Sequence, residues 1–358
     1  MPEIQEVTAA DRRTLAGFDA IIDVRSPAEF AEDHVPGAIS LPVLTNAERA
    51  EVGTIYVQDS RFRARRIGAA LIARNVARYL ETELADKGGD YRPLIYCWRG
   101  GQRSGAMATI LSQVGWRTAV LAGGYRTYRR YVKRRLYDEP LAAPLVLLDG
   151  RTGSGKTEIL GRLAARGVQT LDLEALAQHR GSLLGGLPGQ PQPSQKMFES
   201  RLLTAMEEFD LSCPIVAEAE SSKVGDRMVP PALWSVMQSA PRITLRAPLD
   251  CRAGYLARAY ADVVTDRALF DAALARLPVP PGRKALARWR DLADAGDLEA
   301  LAADLMRNHY DPAYDRAAKK QPTRRLGVVE LAGLTAEAQE AGAEAIAATV
   351  RDLAAANA

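Results

Sequence analysis

The sequence predicts an α/β protein with two parallel-sheet domains, the second of which ends in a helical part. Short apolar runs alternate with helical patterns along both halves of the chain, which is typical of parallel sheets. A cysteine loop follows one apolar run at residues 93–96, and a glycine-rich loop follows another at residues 144–149. With 358 residues the chain is long enough for two domains, each with its own core.

Composition and charge narrow the class of protein. The hydrophobic content of 47% and charged content of 25% are typical of globular chains, and the net charge is only +3. A nucleic-acid partner would therefore contact local basic patches rather than a global field. Cys97, Cys213 and Cys251 are too few and too scattered for a disulfide framework or a zinc site. Because no signal peptide or apolar run of about 20 residues occurs, we expect a cytoplasmic protein without membrane contact.

The sequence pattern of the first half of the chain predicts alternating strands and helices joined by turns. Ser26 and Pro27 match the N-cap and first position of a helix. A long helical pattern at residues 60–87 is rich in arginine. The predicted strands lie at residues 20–24, 94–96 and 118–121, and a turn that runs into a further strand is predicted at residues 34–41.

The second half starts after a basic helical connector. Pro140 and Pro144 mark the boundary, so we predict domains at residues 1–125 and 144–358 with the connector at 126–143. A Gly/Pro/Gln-rich stretch at 181–195 is suited to a mobile lid. Helical patterns cover residues 250–320 with an interruption at residues 278–282, and an amphipathic helix closes the chain from residue 335. Strands are predicted at residues 145–148, 169–171, 215–217 and 242–245.

The cysteine loop has the features of a reactive thiolate site. Cys97 follows a strand and precedes a helix, where backbone N–H groups and the helix dipole favour negative charge and lower the pKa of a thiol. The glycines let several amides point at one centre, and the arginines add positive charge for an anionic donor. The predicted donor-anion loop consists of Trp98, Arg99, Gly100, Gly101, Gln102, Arg103 and Ser104.

The glycine-rich loop matches the Walker A pattern between a strand and a helix. Its amides would surround phosphate oxygens, Lys156 would neutralise charge and Thr157 could ligate Mg²⁺. The motif specifies a phosphate ligand, not ATP in particular. The predicted diphosphate site consists of Gly150, Arg151, Thr152, Gly153, Ser154, Gly155, Lys156 and Thr157.

Acidic and basic groups near this loop leave alternatives open. Either Glu218 or Glu220 could serve as an acid/base group or Mg²⁺ ligand, and spacing alone does not decide whether one or both face the site. Residues 172–174, after the second strand, are similarly ambiguous. His179 and Arg180 open the predicted lid and could grip phosphate. No metal site is firmly predicted, and no tightly bound cofactor is expected.

Several motifs in the first half resemble the rhodanese domain, over about residues 12–130. Cys97 lies where that family carries its reactive cysteine, and Asp23, Arg25 and His34 are interpreted as framework residues. The matching segments are Asp23-Val-Arg25-Ser-Pro-Ala-Glu29-Phe, His34-Val-Pro-Gly-Ala-Ile, Tyr96-Cys97 and Leu121-Ala-Gly-Gly-Tyr.

A rhodanese-like domain followed by a P-loop domain resembles one family in particular, the bacterial tRNA 2-selenouridine synthases. The resemblance spans nearly the whole chain. Further segments that carry it are residues 46–56, 96–101, 179–182, 218–221 and 310–314. The stretch 183–195 is richer in Gly and Pro than that family leads us to expect.

The resemblance implies a two-step reaction on 2-thiouridine at the tRNA wobble position. Geranyl diphosphate would first alkylate the sulfur, with its diphosphate in the P-loop. Selenium from selenophosphate, carried on Cys97 as S-selanylcysteine, would then displace geranylthiol. ATP hydrolysis is not expected, Mg²⁺ is possible, and we expect a monomer whose partners are the tRNA anticodon region and a selenophosphate supply.

The basic connector is predicted to contact tRNA phosphates, and the arginine-rich helix at residues 61–78 could contact them as well. Its cations are Arg126, Arg129, Arg130, Lys133 and Arg134. Two other classes remain as alternatives. One is a sulfurtransferase or Cys-x5-Arg phosphatase fused to an ATP-dependent small-molecule kinase. The other is a nucleotide switch with a non-catalytic rhodanese docking module.

Overall fold

The computed structural model describes residues 3–182, 185–187, 189–275, 277, 281–320 and 324–357. They form two compact units. Unit 1 contains the residues up to Glu139 together with Ser194–Glu207, and unit 2 contains Pro140–Pro193 and the residues from Glu208 onward. Each unit has a parallel sheet covered by helices, so the predicted α/β class is confirmed.

The sheet of unit 1 has five strands, which are β1 (Gln5–Val7), β2 (Ala20–Asp23), β3 (Ile39–Ser40), β4 (Pro93–Tyr96) and β5 (Ala119–Leu121). Their order is β1-β5-β4-β2-β3, and every pairing is parallel. The short edge strand β1 was not predicted. The helices are α1 (Arg12–Leu15), α2 (Pro27–Glu32), α3 (Asn46–Gln58), α4 (Arg61–Glu81), α5 (Gln102–Val114) and α6 (Tyr125–Lys133), the last continued by a π-helical turn (Arg134–Asp138).

Local signals explain where these helices begin. Ser26 and Glu29 form a capping box at α2, with Pro27 in its first turn. Ser60 caps α4, which ends at Glu81, earlier than the predicted residue 87. The core packs the apolar faces of the sheet and helices together through residues such as Ile22, Val24, Ile95, Met107 and Leu111.

One helix of unit 1 comes from the middle of the sequence. The sequence places residues 194–207 in the second domain, whereas helix α9 (Gln195–Met206) packs against α6 and the π-helical turn that follows it. Glu199 is 1% exposed, pairs with Arg129 and accepts a 2.6 Å hydrogen bond from Tyr137. Since a buried carboxylate is costly without such partners, these contacts specify where α9 docks.

The sheet of unit 2 also has five strands, which are β6 (Leu145–Gly150), β7 (Gln169–Leu171), β8 (Ile215–Glu218), β11 (Arg242–Arg246) and β12 (Arg325–Glu330). Their order is β12-β11-β6-β8-β7, again with parallel pairing throughout. The four predicted strands are present, and β12 was missed. A separate antiparallel ribbon joins β9 (Lys223–Val224) to β10 (Arg227–Met228).

Helices cover this sheet and extend beyond it. The predicted closing helix is present as α17 (Ala336–Asn357), which packs on α7 and β12. The others are α7 (Lys156–Ala165), α8 (Leu173–Ala177), α10 (Pro231–Ser239), α11 (Leu249–Ala259), α12 (Ala261–Thr265), α13 (Arg267–Ala275), α14 (Arg283–Asp294), α15 (Leu298–Leu305) and α16 (Asp311–Lys320), with a second π-helical turn at Met306–Tyr310. Within the described residues, none of the helices is both long and apolar enough to cross a membrane.

Candidate active sites

The first candidate site is the cysteine loop of unit 1. Cys97 leaves the fully buried strand β4 and lies four residues before Gly101, the N-cap of α5. Gly100 has a φ of +64°, and a Cβ on it would lie 2.7 Å from the Leu121 carbonyl oxygen. The loop thus requires glycine at this position to curl its amides toward the sulfur. The residue Cys97 itself is only 4% exposed.

Hydrogen bonds make the Cys97 thiol acidic. The Gly101 N–H and the Ser104 hydroxyl both donate to Sγ at 3.3 Å. Burial alone would raise the pKa of Cys97. The bonds from Ser104 and from the loop amides outweigh burial, so the pKa is lowered from its usual value. The loop therefore favours a thiolate, as the sequence predicts.

This environment leads to a testable pH dependence. Because the pKa of Cys97 is lowered, we expect alkylation by iodoacetamide to reach half its maximal rate at a lower pH than for a free cysteine. Ser104→Ala removes one donor to the sulfur and should shift the profile to higher pH. Peptide-resolved mass spectrometry measures the rates. Ser112→Ala, another buried serine of α5, is the matched control, and an unshifted Ser104→Ala profile would contradict this account.

One of the two arginines of the loop is held in an ion pair, and the other is not. Arg103 was predicted to hold a donor anion, but it forms an ion pair with Glu29 at 2.8 Å. Burial raises the pKa of Glu29, but the contact with Arg103 outweighs it and lowers the pKa to about 2. Arg99 is exposed, and no partner for its guanidinium is found among the described residues. Arg99 is thus the loop cation available to an anionic donor.

The rest of the loop is held by the surrounding framework. Trp98 stacks on Tyr125 with ring centroids 5.2 Å apart, and the Tyr125 N–H donates to the Cys97 carbonyl at 2.8 Å. Arg25 lies over the Tyr125 ring and pairs with the fully buried Asp23 at 2.6 Å. These contacts agree with the interpretation of Asp23 and Arg25 as framework residues. Gln102, the first residue of α5, is exposed.

The second candidate site is the phosphate loop of unit 2, between β6 and α7. It borders a cavity of 780 Å³, lined by every residue of the predicted diphosphate site except Arg151. Lys156 donates to the Gly150 carbonyl at 3.3 Å, and the buried Ser154 hydroxyl has no partner among the described atoms. Arg151 pairs with Asp315 at 2.9 Å. The cavity therefore offers a lysine and a glycine-rich backbone to an anionic group.

Two carboxyl groups share the wall of this cavity. Glu174 and Glu220 lie within hydrogen-bonding reach of each other, near Lys156. Burial, followed by the charge of Glu220, raises the pKa of Glu174 to about 7. Burial also raises the pKa of Glu220, although Lys156 opposes that shift. Such a pair can hold or accept a proton near neutral pH.

Glu218 has a different place from Glu220. It is fully buried, and its carboxylate accepts a 2.7 Å hydrogen bond from the Leu173 N–H at the start of α8. It is absent from the cavity wall, so this placement assigns it a structural role. Glu174, which the sequence left ambiguous, lies on the wall instead.

Oxygen ligands for Mg²⁺ are sparse but chemically suitable. Thr157 donates its hydroxyl to Glu174 at 3.1 Å, and both side chains border the cavity. Among the described residues, no group of three His, Cys, Asp or Glu side chains could hold a metal. Of these two side chains, Thr157 could contribute a ligand to a Mg²⁺ ion held mainly by the phosphate oxygens of a bound ligand.

His179 and Arg180 border the same cavity. Arg180 forms a bidentate pair with Asp262, at 2.8 and 3.1 Å, and lies over the Tyr260 ring. Burial lowers the pKa of His179, whose Nδ1 has no partner among the described atoms. Residues 183, 184 and 188 of the predicted lid lie outside the described residues.

Comparisons with known proteins identify two domain families in the chain. Residues 8–131 match the family model "Rhodanese-like domain", and residues 143–274 match "tRNA 2-selenouridine synthase AAA domain". A tRNA 2-selenouridine synthase from Chromohalobacter salexigens is 31% identical, over 86% of this chain and 90% of its own length. The chain belongs to the tRNA 2-selenouridine synthase family.

Other curated members of the family are similar to this chain at comparable sequence identity. The protein of that name from Nitrosomonas europaea is 32% identical over 73% of this chain and 68% of its own. The one from Aeromonas salmonicida is 35% identical over 67% of this chain and 64% of its own. The predicted rhodanese-like and P-loop halves are thus confirmed.

The basic connector of this family member is α6 with its π-helical turn. Arg126, Arg130 and Lys133 are exposed, and Arg134 is exposed while pairing with Glu139 at 3.2 Å. Arg129 differs from the prediction, since it is partly buried and engaged by Glu199 of α9. The cationic face available to an RNA is therefore narrower than the sequence indicates.

Proposed function

We propose that the chain is a cytoplasmic transferase that converts 2-thiouridine at the tRNA wobble position to 2-selenouridine. Geranyl diphosphate and selenophosphate would be its co-substrates. The proposal rests on the presence of two sites in this chain. One is a cysteine whose pKa is lowered, and the other is a phosphate loop beside a cavity of 780 Å³. Each of the two steps needs one of these sites.

The phosphate loop would serve the first step. The 2-thiouridine sulfur attacks C1 of geranyl diphosphate, so that a C–S bond forms, the C1–O bond breaks and diphosphate leaves. Lys156 and the loop amides stabilise the charge that develops on the leaving diphosphate. The N3 proton of the base must also leave, and the Glu174–Glu220 pair on the cavity wall can accept it.

The cysteine loop would serve the second step. The Cys97 thiolate attacks the selenium of selenophosphate, so that an S–Se bond forms, the P–Se bond breaks and phosphite leaves, while Arg99 and the loop amides hold the phosphoryl oxygens. The terminal selenium then attacks C2 of the base, so that a C–Se bond forms, the C–S bond breaks and geranylthiol leaves. Two equivalents of an external thiol reduce the remaining S–Se bond, which releases 2-selenouridine and regenerates the Cys97 thiol. Alkylation in the first step makes that sulfur a better leaving group than the original thiocarbonyl sulfur.

The test is mass spectrometry of nucleosides from 2-thiouridine tRNA incubated with the full chain, both co-substrates and a thiol reductant. We expect S-geranyl-2-thiouridine to appear first and 2-selenouridine to follow. Omission of selenophosphate should leave the geranylated nucleoside as the end product. Unchanged tRNA, or turnover of ATP stimulated by tRNA, would contradict the proposal.

Exposed cations of α6 are proposed to bind tRNA phosphates. Replacement of Arg126, Arg130 and Lys133 by alanine should weaken tRNA binding and flatten its dependence on salt, because fewer counterions are released. We expect the log–log salt slope to fall by about one for each phosphate that is no longer neutralised. Filter binding or fluorescence anisotropy over a salt series measures both quantities.

A control with the same loss of charge comes from α14. Arg283, Lys284 and Arg290 are also exposed, and their replacement by alanine should leave the salt slope unchanged. Equal effects of the two triple variants would mean that only net charge matters. That result would remove the assignment of α6 as the RNA contact.

A further inference from the structure

One corner of unit 1 exposes aromatic rings and cations to solvent side by side. This α3–α4 corner consists of residues 56–66, where α3 ends and α4 begins. Phe62 is 76% exposed and Tyr56 is 43% exposed. Val57, next to Tyr56, is 82% exposed. Scattered apolar residues are common on protein surfaces, but a group of large apolar side chains marks a surface that contacts a partner.

The charge of the α3–α4 corner is strongly positive. Helix α4 has no acidic residue before Glu81, at its last position. The exposed arginines of its first two turns are Arg61, Arg63, Arg65 and Arg66. Within the described part of the chain, Arg63 is the only one of the four with an ion-pair partner, which is Asp59 at 2.6 Å. The remaining charge is therefore available to attract a polyanion.

The rings and guanidinium groups of this corner are suited to flat ligands. The Arg61 guanidinium lies over the Tyr56 ring, 5.6 Å from its centroid. Aromatic rings and arginine side chains both stack on nucleobases in single-stranded nucleic acids. The two helices are tied together, since Asn75 of α4 donates to the Glu48 carboxylate of α3 at 3.3 Å. The corner therefore holds its rings on fixed helices rather than on a loop.

We propose that the α3–α4 corner binds unpaired nucleotides of the tRNA, with bases stacked on Tyr56 and Phe62 and phosphates against the neighbouring arginines. The inference rests on the proposed function and deepens it by assigning a surface for the single-stranded part of the substrate. An unpaired base can offer its face to a ring, whereas the bases of a duplex are already stacked on each other. A second copy of the chain suits this surface less, because pairing the two corners would bring like charges together.

Fluorescence anisotropy with the full chain tests the assignment on a labelled oligouridylate of about ten nucleotides and on a duplex RNA of the same length. Tyr56→Ala combined with Phe62→Ala should weaken binding of the single strand by about tenfold or more. Binding of the duplex should not change. The dependence of single-strand binding on salt should also stay the same, because the double variant removes no charge.

Two controls accompany this variant. Tyr56→Phe combined with Phe62→Tyr keeps both rings and should bind the single strand as the wild type does. Val114→Ala changes an exposed apolar residue at the end of α5 in the same unit and should have no effect. Unchanged single-strand affinity in the alanine double variant would overturn the assignment. Equal losses for the single strand and the duplex would also overturn it.

The phosphate contacts are tested by replacing Arg61, Arg65 and Arg66 with alanine. This triple variant should flatten the salt dependence of single-strand binding, and an unchanged slope would overturn that part of the assignment.

Sedimentation shows whether the corner joins two copies instead. A dimer that dissociates in the alanine double variant, with RNA affinity unchanged, would overturn the assignment. Ring-dependent RNA binding by a protein that leaves tRNA unmodified would contradict the proposed function but support the corner. Selenation of tRNA without ring-dependent binding would do the reverse.

Discussion

Cys97→Ala is expected to abolish formation of 2-selenouridine while S-geranyl-2-thiouridine still accumulates. The thiolate is the selenium acceptor in the proposed second step, and the first step uses groups of unit 2 alone. Loss of a nucleophile commonly lowers turnover by about 10³-fold or more. Nucleoside mass spectrometry on 2-thiouridine tRNA, with both co-substrates present, quantifies the two products in one sample.

Two control variants separate chemistry from folding. Cys97→Ser keeps a side chain that can accept from Gly101 and Ser104, and it should be as inactive in selenation as the alanine variant. Cys213→Ala changes an exposed cysteine and should behave as wild type. Wild-type rates of 2-selenouridine formation with Cys97→Ala would show that selenium reaches the base without this cysteine.

Lys156→Ala should give the opposite product pattern to Cys97→Ala, with the first step rather than the second step impaired. With the lysine removed, diphosphate leaves without its main cationic stabiliser, so geranylation should slow by about 100-fold or more. The starting 2-thiouridine then remains, and no 2-selenouridine follows. The same mass spectrometric assay, run without selenophosphate, measures the rate of the first step directly.

The matched control for this variant is Lys223→Ala. Lys223 is an exposed lysine of β9 in the same unit, so its removal changes the charge equally without altering the phosphate loop. Alkylation of Cys97 by iodoacetamide should keep its wild-type rate in Lys156→Ala. A Lys156→Ala enzyme that geranylates tRNA at the wild-type rate would remove the diphosphate role from this loop.

The cysteine loop and the phosphate loop could be predicted from sequence because their determinants are local. In each loop, a buried strand, a glycine-rich turn and the start of a helix follow one another directly. The backbone geometry of that sequence of elements is enough to place the loop amides. Cys97 and Lys156 accordingly lie where the sequence predicts. The same holds for the framework pair Asp23 and Arg25, which are only two residues apart and form their ion pair within one turn of chain.

Contacts between distant segments could not be predicted in this way. Arg103 carries the right charge for an anionic donor, yet Glu29, distant in sequence, engages it. In the sequence Arg129 is indistinguishable from the exposed cations of α6, but in the structure it pairs with Glu199 of α9. Charge and spacing along a helix do not reveal which cation meets a buried carboxylate, because that depends on which helix packs there.

The same limit applies to the two acidic residues on the cavity wall. Glu174 and Glu220 follow different strands, and their adjacency arises only because β7 and β8 pair in parallel with their ends at one edge of the sheet. Local sequence thus determines where the cysteine loop and the phosphate loop lie. Long-range packing decides which charged side chains remain free to bind a ligand and which side chains line the cavity, because burial and ion pairing depend on residues remote in the chain.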